Sequence, residues 1–177
     1  MAKPQNQARI HGQLCAGCDM NPRSTPLRAL NSHDHDAVRE VYREAALNAD
    51  PAFYSLAQRR AWAQQSDQLL RQQPGPGLVS CGIDGDVEAF GLRDRQDRIA
   101  LLYCRPRSQR QGRCRQLLRA LEQQARQEGC TSLRSEASLL SQPLFASEGW
   151  RVSWQEELLI NGVLFRRFRM HKPLTAN

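Results

Sequence analysis

The chain runs to 177 residues, 40% hydrophobic and 24% charged, with 25 Lys and Arg against 18 Asp and Glu for a formal charge of +7. That length holds one domain with its own core, and no apolar run nears the roughly 20 residues that cross a bilayer. With no apolar signal core near its start, a cytoplasmic protein is expected.

Residues 1–25 are polar, proline-bearing and aperiodic, which predicts a mobile tail before a domain over residues 26–177. Within the tail, Cys15 and Cys18 form a lone C-x-x-C with His11 nearby; without further ligands or a βαβ setting, no metal or redox site is expected there. The other four cysteines fall in or beside predicted elements and read as packing thiols rather than a disulfide framework.

"PLRAL" predicts a short strand. Ala37, Val38, Val41, Tyr42, Ala45 and Ala46 recur at helical spacing behind Asp34 or Asp36 as cap, with His33 and His35 as solvated neighbours of the helix start. A second, more polar helix is expected over residues 55–73, carrying Trp62, Leu69 and Leu70. Three strands follow, joined at Asp84-Gly85 and across "RDRQD", and the third, ending in "IALLYC", is apolar enough to be central. A long helix then places Cys114, Leu117, Leu118, Leu121 and Ala125 on one stripe and stops at Gly129. Another strand ("TSLRSEAS"), a short helix ("SQPLFASEG") and a hairpin turning at Asn161-Gly162 close the chain. Trp150 and Trp154 are expected on one face of the first hairpin strand. The order is that of an α/β domain: a mixed sheet with helices on its faces.

Between "IALLYC" and the long helix lies "RPRSQRQGRCR", a basic loop with one glycine. Helix N-termini present unpaired N–H groups and a partial positive charge, and Gly112 leaves the backbone without a Cβ. Two readings stand on physical grounds: a phosphate or diphosphate cradle, and a solvated basic turn. It is neither a Walker A loop nor a G-x-G-x-x-G fingerprint.

"LLYCRPRSQRQGRCRQLL" resembles the acyl-CoA motif of the GNAT N-acyltransferases, an apolar strand and a proline followed by Q/R-x-x-G-x-G/A at the head of a long helix. Here that motif is Gln109, Arg110, Gln111, Gly112, Arg113 and Cys114. The likeness continues through "LRSEAS", "QPLFASEGW" and the closing "NGVLFRRFRMHKPL". It implies the GNAT fold, a mostly antiparallel sheet splayed at the acyl-CoA site with helices on both faces. It implies acetyl-CoA between the strand ending at Cys104 and the strand around Ser135, with main chain near Leu102 and Cys104 pairing with the pantetheine arm. The N–H groups of residues 110–114 would hold the diphosphate.

Two positions depart from the family pattern. Cys114 replaces a Gly or Ala, and Phe145 stands where many members have a tyrosine thought to reprotonate the departing thiolate. For proton transfer the sequence offers Glu136, acting through a water, and Tyr103, facing the acceptor side; Glu88 and Asp94 read as structural carboxylates. Tyr42, Tyr54 and Trp62 could wall the acceptor site. The expected activity is transfer of an acetyl group from acetyl-CoA to a primary amine of a small molecule or peptide, with no metal, no specific nucleic-acid or membrane partner, and a homodimer as an open possibility. The rival expectation is a GNAT-fold protein that binds acyl-CoA without turnover.

Overall fold

The computed structural model describes residues 26–69 and 75–174. The expected tail, the Cys15/Cys18 pair and the end of the second helix lie outside them.

The element order follows the sequence pattern: β1 (Leu27–Ala29), α1 (His35–Leu47), α2 (Leu56–Ala63), α3 (Ser66–Leu69), β2 (Gly77–Cys81), β3 (Val87–Arg93), β4 (Arg98–Cys104), α4 (Arg113–Gln127), β5 (Ser132–Ser138), α5 (Gln142–Ser147), β6 (Arg151–Ile160) and β7 (Val163–Pro173). Seven strands form one sheet in the order β1-β2-β3-β4-β5-β7-β6. All neighbours are antiparallel except β4 and β5. Each face is covered. On one, Val38, Val41 and Tyr42 of α1 pack against Val79, Phe90, Leu92 and Leu101; on the other, Leu117, Leu118, Leu121 and Ala125 of α4 pack against Ala89, Leu133, Phe145, Trp150 and Met170.

Turn chemistry explains most boundaries. At the β6–β7 turn, Asn161 (φ 48°) and Gly162 (φ 77°) adopt the two left-handed conformations that a two-residue hairpin requires. Gly129 ends α4 with the Cys130 N–H returning to the Ala125 carbonyl at 2.9 Å.

Four local expectations are corrected. Asp34 stands at the N-cap of α1 but makes no side-chain cap bond there: its carboxylate binds Arg28 and the Asn31 N–H, and Asn31, whose side chain accepts the His33 N–H, caps the 3-10 turn before the helix. The expected second helix breaks after Ala63 and resumes as the short α3. The Asp84-Gly85 turn is a wider loop, closed by the Gly82 N–H on the Asp86 carbonyl at 2.8 Å. Trp150 and Trp154 do not share a surroundings: Trp150 is buried, whereas Trp154 is 58% exposed. A register shift between Val152 and Trp154 inserts one extra residue, which breaks the two-residue alternation.

Candidate active-site cleft

The parallel strands β4 and β5 are in register only at Arg98–Arg134 and Ile99–Ser135. There the Ser135 hydroxyl donates to the Ile99 carbonyl at 2.9 Å. Beyond that point they part. In the β3–β4 ladder Leu92 pairs with Leu101 and Arg93 with Ile99, so Ala100 is bulged out at the place of divergence, and bulges bend a strand. The Arg105 N–H bonds the Glu88 carbonyl of β3 at 2.8 Å. By the alternation of an antiparallel ladder, the polar groups of Tyr103 then face β3, while those of Leu102 and Cys104 face the opening. The sequence expectation of a splayed sheet therefore has a specific local cause.

The opening leads into a cleft of about 1030 Å³ that reaches from Gln109, Arg110 and Cys114 to Trp62, Asn161 and Phe165. At its basic end, Gly112 precedes α4 with φ 83°. A Cβ built there meets nothing within 4 Å, so glycine answers to the backbone conformation and to whatever fills the open space, and not to crowding by the protein. Arg110 is left-handed too, at φ 60°. Among the described residues, no backbone acceptor takes the N–H groups of residues 110–115 outside regular elements; the first bond of the helix is from the Gln116 N–H to the Gly112 carbonyl, at 3.0 Å. That leaves a row of donors at the positive end of α4.

The arginines of this region are mostly occupied. Arg105 pairs with Glu44 and donates to the Val87 carbonyl; Arg107 pairs with Glu88; Arg115 and Arg119 clasp Glu148. Arg113 turns inward, donating to Ser80 Oγ at 2.8 Å and the Cys81 carbonyl at 3.0 Å. Arg110 lines the cleft and has no side-chain partner among the described residues. Gln111 is exposed and donates to the Arg107 carbonyl. The Cys104 and Cys114 thiols act on each other, which pulls the Cys104 thiol down and, with burial, pushes that of the half-buried Cys114 up.

Tyr103 and Glu136 both line the cleft. The Tyr103 ring stacks on Phe90 at 5.7 Å, and its hydroxyl accepts the Trp62 Nε1–H at 3.1 Å. Burial pushes it up to about 12, so it remains protonated at neutral pH. Glu136 gives one oxygen to Arg169 and the other to Arg98, at 3.4 Å for the latter. Glu88 and Asp94 are structural. Glu88 binds Arg107 and Ser108 under the basic loop, and the Arg107 guanidinium holds its carboxyl below the usual 4.5. Asp94 accepts the Gln96 and Arg98 N–H groups across the turn. Among the described residues, no three His, Cys, Asp or Glu side chains gather as around a metal.

Tyr42, Tyr54 and Trp62 do line one wall, joined by Phe165; Trp62 meets Tyr54 edge-on at 5.2 Å and Phe165 at 6.2 Å. Sequence reasoning missed Ser138 and Ser141, which lie beside Tyr54 where β5 ends. Their spacing before Pro143 marks a strand-to-helix junction, but nothing local announces Tyr54, which meets the Leu139 N–H between them from 85 residues upstream.

An acetyltransferase (GNAT) domain model matches residues 38–172, most of the chain. The chain belongs to the GNAT acetyltransferase family. Solved structures agree with this GNAT fold. A GCN5-related N-acetyltransferase from Rhodopseudomonas palustris is 24% identical with a TM-score of 0.79, covering 85% of this chain and 96% of that one. YncA from Salmonella typhimurium, solved with its cofactor acetyl-CoA, is 22% identical with a TM-score of 0.62, covering 87% and 96%. PaiA N-acetyltransferase from Thermoplasma acidophilum, in complex with coenzyme A, is 17% identical with a TM-score of 0.62, covering 85% and 99%. Among curated proteins nothing matches.

Proposed function

We propose that this GNAT domain is an N-acetyltransferase that moves the acetyl group of acetyl-CoA directly onto a primary amine in a ternary complex. The observation that carries the reading is the pairing of two unsatisfied backbone surfaces in one cleft: the donor row of residues 110–115 and the inner edge of β4. The donors suit a diphosphate, with the Arg110 cation beside them, unpaired among the described residues. The edge suits an extended amide chain such as pantetheine, which would pair with Leu102 and Cys104 as one strand pairs with another. Gln109, Gln111, Gly112, Arg113 and Cys114 contribute through main chain; the Arg113 side chain fixes the start of α4 from below.

Tyr42, Tyr54 and Trp62 flank the place left for the acceptor, a small molecule or a peptide amine. Tyr103 orients groups there as a protonated phenol. Glu136 reaches an incoming ammonium through a water, from an oxygen it shares with a guanidinium. Most of the rate then comes from holding amine and thioester in line, in a protein that works in the cytoplasm without a metal. Phe145, which has no proton to give, favours a second reading, in which the domain binds acyl-CoA without turning it over.

The Gly112→Glu substitution tests the site. Bulk and like charge at the donor row should abolish acetyl-CoA binding in calorimetry while the protein stays folded; unchanged affinity would refute it. Thiol release from acetyl-CoA across a panel of amines separates enzyme from binder.

A further inference from the structure

Acyl transfer to an amine leaves a thiolate that must collect a proton, and position 145 cannot supply it. Phe145 is 2% exposed and packs edge-on against Trp150, with ring centroids 4.9 Å apart. All three tyrosines of the chain line the cleft. Tyr42 and Tyr103 are engaged with one another and with Trp62 on the β4 side. Tyr54 is differently placed.

Tyr54 comes from the connector between α1 and α2 and crosses to the opposite arm of the splay. Its hydroxyl oxygen accepts the Leu139 N–H at 2.9 Å, one residue past the end of β5. The Ser138 side chain acts on the same phenol, opposing the upward push of burial. Behind Ser138, both the Ser141 N–H (3.1 Å) and the Ser141 hydroxyl (3.0 Å) can donate to Ser138 Oγ, while the Ser138 N–H goes back to Ser141 Oγ at 2.9 Å. With Ser141 Oγ as the donor of its pair with Ser138 Oγ, the Ser138 hydroxyl is left to donate toward Tyr54. In that arrangement both Ser138 lone pairs are filled, and the Tyr54 proton has no acceptor among the described residues. A phenol only 1% exposed pays for a spare donor unless a ligand completes it.

We propose that Tyr54 protonates the sulfur of the departing CoA, with the Leu139 N–H and the Ser138 hydroxyl holding the phenolate that results. The inference rests on the acetyl-CoA reading above. In the step, the amine lone pair forms the C–N bond at the thioester carbonyl and the C–S bond breaks with its electron pair on sulfur. The phenolic proton passes to that sulfur and gives CoA thiol. The nitrogen loses its extra proton to solvent, and the phenolate takes one back, so amine plus thioester become amide plus thiol. Burial keeps the Tyr54 hydroxyl above its ordinary value, which leaves the proton in place at neutral pH.

The test needs no acceptor, because CoA itself is the probe. The thiolate absorbance of bound CoA is titrated in wild type, Tyr54→Phe, Ser138→Ala and Tyr103→Phe. A donor on the sulfur stabilises the thiolate, so the bound thiol should ionise about one pH unit higher in Tyr54→Phe than in wild type. Ser138→Ala, which keeps the phenol and its packing, should move it the same way by less. CoA affinity at neutral pH should stay within about threefold, since the diphosphate and pantetheine contacts are untouched. Identical titrations in all four proteins, or a shift confined to Tyr103→Phe, would overturn the assignment while leaving acetyl-CoA binding intact. Failure of wild type to bind CoA would sink the acetyl-CoA reading, and this inference with it.

Discussion

At the scale of single residues, what the sequence discloses is conformational need and what it conceals is orientation. Gly129 and the Asn161-Gly162 pair were legible because only certain residues tolerate a left-handed backbone, and each is found in it; Gly112 was legible for its missing Cβ, and its left-handed φ of 83° is what the structure adds. The inward turn of Arg113 was not legible, since its partners Ser80 and Cys81 are brought to it only by the fold. Glu88 belongs with it: a buried carboxylate under the basic loop, with a folded value below its ordinary 4.5 because of Arg107. A lowered value means that the unfolded chain takes up the proton first as pH falls, so the stabilisation from this pair is full above about pH 4.5 and lost below it, as pH drops through the folded value. Glu88→Gln should therefore melt lower than wild type at pH 7, and the gap should close as the solution is acidified through that window. Thermal melts of the two proteins at a series of pH values check it. High salt should narrow the gap too, because Arg107 is largely exposed.

At the scale of elements, periodicity gave the order of strands and helices, and side-chain volume decides how closely they meet. The bulge at Ala100 could not be foreseen, because nothing in "IALLYC" distinguishes the bulged residue from its neighbours. The approach of α4 to the sheet is set at Gly91 in β3, where an added Cβ would lie 2.8 Å from Leu121 Cδ1 and 3.3 Å from Leu102 Cδ1. Leu121 is fully buried and has little room to yield. Gly91→Ala should cost about 1–3 kcal/mol by overpacking. Urea unfolding would read this as a lower midpoint at unchanged slope. Because Leu102 flanks the opening, the same variant should also bind acetyl-CoA less tightly. The lost helical continuity after Ala63 belongs to this scale as well: Gln64 and Gln65 carry no apolar side chain to hold the turn against the sheet.

At the scale of the whole molecule, a formal charge of +7 invites a reading in terms of nucleic acid. The arginines between residues 105 and 119 argue for another use, since most of them are tied to Glu44, Glu88 and Glu148 and so stiffen the frame around the cleft. Any association with DNA should therefore be unspecific, falling steeply between about 50 and 200 mM salt and equal for unrelated duplexes. Fluorescence anisotropy with two oligonucleotides of different sequence decides this, and tight sequence-selective binding at the higher salt would contradict it. The fold was legible at this scale because several ordered motifs agreed; the acceptor wall was legible only as a set of aromatics. Its construction from the α1–α2 connector, β7 and the end of β5 depends on contacts across more than eighty residues of chain.

A flat sheet has two rims, but one that divides part-way along a strand pair has four. The two additional rims here converge on the Ile99–Ser135 pair, where neighbouring strands stand only about 4.8 Å apart. A foreign polypeptide strand would need roughly twice that spacing to lie between them. The wedge therefore excludes protein chains from its vertex by width alone and shelters the amides there from the mispairing that threatens outer rims.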